Sequence, residues 1–226
     1  MIRNMINNDP KVAIVDFGLG NLYSVRHACK KVGLEAEITS SKQAVLDADA
    51  VILPGVGAYR DAMQNLHSLG LVNVLRDIAE SGKPLLGVCL GMQLLMSESF
   101  EFGHYEGLDI IKGSVVNFGH PQENERSLKV PQIGWNRIRK SKDSMDWNET
   151  LLAGIPDHEY MYFVHSYIVV PQDPNIVLST TRYGDVEFCS SFQKGTVFAC
   201  QYHPERSGQW GIAIYQNLAA RFDKAA

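Results

Sequence analysis

Residues 11–100 alternate between short apolar runs and amphipathic stretches, the succession expected of strands and helices around a parallel sheet. The pattern predicts strands over 12–17, 35–39, 50–54 and 84–88. Between them, 21–32 and 72–81 read as helices, each followed by the glycine, Gly33 or Gly82, that commonly stops one. Leu71, Val74, Leu75 and Ile78 recur at spacings of three and four, so the second of these helices lays one face on the sheet. The most apolar stretch, 84–96, contains Gln93 and falls short of the ~18 residues a membrane span requires. It reads as a buried strand running into a helix.

From about Ile110 the texture changes to longer alternating segments: KGSVVNF, KVPQIGWNRIRK, EYMYFVHSYIVV, NIVLSTTRYG, VEFCSSFQ and TVFACQYH. They predict an antiparallel continuation of the sheet, each segment one strand. Turns fall at Tyr183-Gly184-Asp185 and Lys194-Gly195. A last helix is expected over 207–222. With no repeat and no linker-like loop, 1–226 reads as a single α/β domain with a mixed sheet flanked by helices, and 1–10 as a flexible N-terminal extension.

The 226 residues are 45% hydrophobic and 20% charged, with a net charge of -4, so no global basic field points to a nucleic acid or an anionic membrane. The start, MIRNMINNDP, places three asparagines and an aspartate where an export signal needs an apolar run of ~7 to 15 residues. Cys29, Cys89, Cys189 and Cys200 form no CxxC pair, which offers neither a zinc site nor a redox dithiol. These features together fit a cytoplasmic protein, with no metal or cofactor expected.

Candidate chemistry centres on Gly87-Val88-Cys89-Leu90-Gly91. A buried strand entering a helix, with glycines two residues on either side of a central nucleophile, is the G-x-nucleophile-x-G elbow. It sets Cys89 at a helix N-terminus, which favours a thiolate. The same residues also describe the glycine-punctuated end of a buried strand. A Cys nucleophile needs a base, and the base an orienting group. Among seven histidines, His203 ends an apolar strand, precedes Pro204 and has Glu205 two residues on; a loop histidine beside a surface glutamate is the plainer meaning. Pro54-Gly55-Val56-Gly57 ends another strand, and its flexible backbone can turn N–H groups toward an oxyanion, or can simply join strand to helix. GLGNLYS after the first strand lacks the third glycine of a dinucleotide fingerprint.

In combination, PGVG, GVCLGMQ and YHPE, in this order and over nearly the whole chain, resemble the class I glutamine amidotransferases. DFGLGNLYS, VPQIGWN and YMYFVHSY are similar to the glutaminase subunits of imidazole glycerol phosphate synthases. The resemblance implies a mixed-sheet amidotransferase fold and hydrolysis of glutamine by Cys89, His203 and Glu205 through a thioester. It also implies a heterodimer with a (β/α)8 barrel cyclase, which uses the ammonia to make imidazole glycerol phosphate and AICAR from PRFAR in histidine biosynthesis. Family positions for the oxyanion hole fall on Val56, Gly57 and Leu90, and those for the glutamine pocket on Gly57, Gln93, His165, Ser166 and Tyr167. Asn21, Trp135, Asn136, Tyr162 and Arg206 match positions near the partner. Gln132, Ile133 and Phe17 depart from the family's usual His, Met and Tyr. Related subunits serve amidino-sugar synthases, and a free-standing Cys-His hydrolase shares the fold.

Overall fold

The central strands of the first half are apolar almost throughout because both their faces are covered, while the edge strand, EAEIT, is half polar. β1 (Lys11–Val15), β2 (Glu35–Thr39), β3 (Ala50–Gly55) and β4 (Leu85–Cys89) lie parallel in the order β2-β1-β3-β4, and every residue of β3 and β4 is buried. The two-residue period divides these strands between two cores. Val51, Leu53 and Leu85 enter one, while Ile52, Leu86 and Val88 enter the other. The structure is a computed structural model that describes residues 10–142 and 145–223. Of the extension expected over 1–10, all but Pro10 lies outside the described residues.

The first helices are α1 (Leu22–Lys31), α2 (Lys42–Asp47), α3 (Tyr59–Ser68), α4 (Leu71–Glu80) and α5 (Leu90–Leu94). α1 and α4 fall where the periodicity puts them. Leu71, Val74, Leu75 and Ile78 are the buried face of α4, as their spacing predicts.

The second half supplies β5 (Met96–Ser99), β6 (Tyr105–Glu106), β7 (Ile111–Asn117), β8 (Gln122–Glu123), β9 (Arg126–Ser127), β10 (Gln132–Arg137) and β11 (Arg139–Lys140). After these come β12 (Tyr160–His165), β13 (Tyr167–Pro171), β14 (Val177–Tyr183), β15 (Val186–Lys194), β16 (Val197–Cys200) and α6 (Gly208–Asp223). β16 inserts parallel beside β4, and β15, β13 and β7 extend the sheet in antiparallel pairings. The expected mixed sheet with an antiparallel extension is therefore present.

Two expectations need correction. EYMYFVHSYIVV is not one strand: the chain breaks at Ser166, whose carbonyl accepts from the Phe118 N–H at 3.0 Å. β12 pairs with β10 in a separate two-stranded ribbon, while β13 stays in the large sheet. Likewise QIGWNR leaves the main sheet, which only the two residues of β11 rejoin, against β14. Among the described residues no helix is long and apolar enough to cross a membrane.

The tightest backbone approach is at Gly91, where an added Cβ would lie 1.7 Å from the Leu53 carbonyl oxygen. At Gly33 the space is open and only the φ of +81° opposes a side chain. Gly91→Ala should therefore cost about 3 kcal/mol or more by overpacking, and Gly33→Ala about 1 kcal/mol by left-handed strain. Urea unfolding of the two variants checks the difference.

Candidate active site

Parallel register brings three strand ends to one edge. Gly55 pairs with Cys89 and Val88 with Cys200, so 56–57, 90 and 201–203 all emerge together. The carboxyl ends of parallel strands are where sites in such sheets form. Cys89 has φ 54° and ψ -109°, a conformation costly for a residue with a side chain. Its flanking glycines hold it there. A Cβ on Gly87 would come 2.9 Å from Leu95 Cδ1, and one on Gly91 would strike β3. α5 has only five residues and a correspondingly small macrodipole. The stronger positive charge near Cys89 belongs to His203.

His203 stands just beyond β16. Its N–H donates to the Tyr162 carbonyl at 2.9 Å, and its own carbonyl accepts from Ser207 Oγ at 2.6 Å. Pro204 opens a 3-10 turn, Pro204–Arg206, that folds Glu205 back, leaving His203 Nδ1 2.9 Å from Glu205 Oε1. Both side chains are almost wholly buried, at 5% and 1% exposure. Burial by itself disfavours a charged ring, but the charge of Cys89, hydrogen bonding with Cys89 and the Glu205 carboxylate overcome it and raise the His203 pKa to about 10. Nε2 meets no partner at full hydrogen-bonding geometry among the described residues, while the Cys89 sulfur lies 3.8 Å from the Val164 carbonyl, to which its thiol can donate. The thiols of Cys29, Cys189 and Cys200 are pushed up by burial and stay protonated.

In front of Cys89 lies a pocket of about 260 Å³ that gathers Val56, Gly57, Leu90, Gln93, His165, Ser166 and Tyr167. All the residues expected at an oxyanion hole or amino-acid pocket thus share one cavity with Cys89. Glu101 also lines it, and no motif in the sequence marks that residue. Its carboxylate accepts from the Tyr59 N–H, and burial keeps its pKa raised against that bond, with Asp61 adding to the rise. Larger surface hollows, about 580 Å³ beside β2 and about 720 Å³ beside Lys194, are lined by no cysteine or histidine.

The pocket wall is tied together by buried amides. Gln93 Nε2 donates to the Tyr167 carbonyl and to Gln201 Oε1, both at 3.1 Å. His165 Nδ1 donates to the same carbonyl at 3.0 Å, and its Nε2 is 3.1 Å from the Gln132 side-chain amide. Burial, opposed by the Tyr167 carbonyl and reinforced by the charge of His203, lowers the His165 pKa to about 4. The ring is therefore neutral with its proton on Nδ1, so Nε2 accepts and Gln132 must turn its NH2 group toward it. His165 is a structural histidine that also lines the pocket.

Of the residues expected near a partner, Trp135 and Tyr162 meet edge to face at 6.0 Å. The Arg206 guanidinium lies 4.5 Å from the Tyr162 ring centre. Asn136 is not with them; strand alternation turns it away, and its Nδ2 donates to the Arg182 carbonyl at 2.9 Å. Asn21 borders a narrow cavity that also reaches Val56, His203 and Glu205. Ser207, unmarked in the sequence, accepts from the Tyr162 N–H at 2.9 Å and so clamps Tyr162 to His203.

His165 generates a pH dependence. Its pKa is about 4 when folded and near 6.5 when unfolded. Between these values the unfolded chain binds the extra proton, so stability falls as pH drops. From pH 7 to pH 5 this group should remove about 2 kcal/mol. His165→Gln should lack that part of the loss in urea unfolding at the two pH values.

The chain matches the family described as glutamine amidotransferase class-I over residues 13–220. It is 45% identical over 208 residues to the imidazole glycerol phosphate synthase subunit HisH of Syntrophotalea carbinolica, covering 92% of this chain and 98% of that one. The subunit of the same name from Geobacter sulfurreducens is 43% identical over 209 residues, covering 92% and 97%. The fold is also similar to PurLQS from Thermotoga maritima, at a TM-score of 0.70 and 19% identity, with 95% of this chain and 99% of that one covered. A solved glutamine amidotransferase gives a TM-score of 0.69 at 19% identity, covering 93% and 98%. With its elbow, buried histidine and carboxylate on this fold, the chain belongs to the class-I glutamine amidotransferases.

Proposed function

We propose that this chain is the glutaminase subunit of an imidazole glycerol phosphate synthase, hydrolysing glutamine and passing the ammonia to a (β/α)8 barrel cyclase in histidine biosynthesis. The buried His203, held at 2.9 Å by Glu205 and kept charged beside Cys89, is the observation that carries the chemistry. The names and coverage of the relatives favour this pathway over an amidino-sugar synthase. Four unpaired cysteines fit a reducing cytoplasm as its place of work.

In this mechanism the Cys89 thiolate attacks the side-chain carboxamide of glutamine. The oxyanion is taken by the Leu90 N–H and an N–H from Val56 or Gly57, each donor worth ~3 kcal/mol, or about 100-fold in rate. A turn of the Gly55-Val56-Gly57 backbone thus suffices to switch the site. His203 gives its proton to the departing ammonia, and a thioester remains on Cys89. His203 then takes a proton from water as that water attacks, releasing glutamate and restoring thiolate and imidazolium. Glu205 holds the ring throughout by Nδ1.

The pocket fits the rest of the substrate by charge. Both amide hydrogens of Gln93 are committed to protein acceptors, so it offers a ligand only its oxygen. That oxygen and the Glu101 carboxylate suit the substrate's α-ammonium group, with Ser166 and Tyr167 in the same lining. The Trp135, Tyr162 and Arg206 cluster, with the nearby Asn21, supplies aromatic and cationic groups of the type that dominate interfaces. Asn136 is assigned there only through its neighbour Trp135.

Glutamine hydrolysis, measured with and without the histidine-pathway cyclase and its ribonucleotide substrate, tests the proposal. Stimulation of about 100-fold or more is expected; its absence would remove the histidine assignment and favour a free-standing hydrolase. Cys89→Ala should lower glutamine-dependent turnover by about 10⁴-fold or more, and a variant retaining full activity would refute the nucleophile.

A further inference from the structure

Gln201 is a wholly buried polar side chain that the reaction as described does not use. It follows β16, two residues before His203, and its Nε2 lies 3.6 Å from the Cys89 sulfur. A buried amide is costly unless its hydrogen bonds are made, so the geometry around this one is informative.

Which end of the Gln201 amide faces the sulfur is decided by a main-chain atom. The Tyr167 carbonyl can only accept, and Gln93 approaches it at 3.1 Å, so Gln93 must present its NH2 group there. The second hydrogen of that group points to Gln201 at 3.1 Å, and Gln201 must answer with its oxygen. Its nitrogen is then the atom left for Cys89. The Tyr167 carbonyl is itself fixed from the other side by His165 Nδ1, and the ring of His165 by Gln132. Two donors, His165 Nδ1 and Gln93 Nε2, thus converge on one backbone carbonyl, and from Gln93 the donors run on through Gln201 to the sulfur. Reversing Gln201 would set its oxygen against the sulfur and its NH2 group against that of Gln93, two contacts of like polarity.

We propose that Gln201 is a further catalytic residue, donating a hydrogen bond to the Cys89 sulfur that holds its charge and position for attack on the amide. The inference rests on Cys89 being the nucleophile and goes beyond the Cys89, His203 and Glu205 set. Hydrogen bonds to charged groups are stronger than neutral ones, and a donor to sulfur serves the thiolate more than the thiol. His203 supplies the proton that leaves with ammonia. Gln201 has no proton to give and acts only on the charge of the sulfur.

The test is the rate of Cys89 alkylation by iodoacetamide as a function of pH in the full chain, with the modified peptide identified by mass spectrometry. Gln201→Leu should move the midpoint upward by about one pH unit and slow alkylation roughly ten-fold at neutral pH. In glutamine turnover kcat should fall about ten-fold while KM stays within about two-fold. An unchanged midpoint in folded Gln201→Leu overturns the proposal. Should that variant fail to fold, Gln201→Glu decides, since it keeps an oxygen toward Gln93 but loses the donor; an unshifted midpoint there is equally fatal. Wild-type Cys89 reacting no faster than an ordinary thiol at neutral pH would instead sink its role as nucleophile, a separate result from the difference between wild type and variant.

Discussion

Everything at the site depends on the main-chain hydrogen bonds that seat β4 between β3 and β16. That register puts Cys89 level with Gly55 and one residue beyond the partner of Cys200, so the turns carrying the flexible glycines, the nucleophile and the histidine leave the sheet side by side. Main-chain bonds of this kind fix positions to a fraction of an ångström without help from the side chains they position. The contact of Gly91 with β3 then bends the chain at Cys89 into a conformation it would not adopt alone, and aims its sulfur out of the sheet.

The two buried histidines show burial winning at one ring and losing to charged neighbours at the other. His203 and His165 lie at 4% and 6% exposure, yet one has its pKa raised to about 10 and the other lowered to about 4. Around His203 stand a carboxylate and a reactive sulfur; around His165 stand a peptide carbonyl and a neutral amide. The same ring is thus held charged in one place and neutral in the other. The positive His203 itself contributes to keeping His165 neutral.

Much of this was legible in the residues. Strands and helices of the first half follow from periodicity, because each element there has one or two faces in a core. That Cys89, His203 and Glu205 come together could be foreseen because each sits in a short motif with a physical reason. The break at Ser166 could not, since apolar alternation runs through it and both halves feed the same core around Phe163 and Ile168. Glu101 and Gln201 were invisible for another reason: each is a single polar residue whose meaning comes from neighbours far along the chain, Tyr59 for one and Gln93 and Cys89 for the other. That Asn136 bonds to the Arg182 carbonyl, away from the Trp135 and Tyr162 pair, was likewise not legible, because strand alternation separates it from its neighbour.

The late position of β16 has a consequence for biosynthesis. A ribosome makes β4 and its cysteine long before the strand that will flank it, so for most of translation the nucleophile borders an open sheet edge with neither its histidine nor its carboxylate. Until β16 pairs with β4, His203 and Glu205 have no fixed place beside Cys89. Closing the sheet and assembling the site become one event.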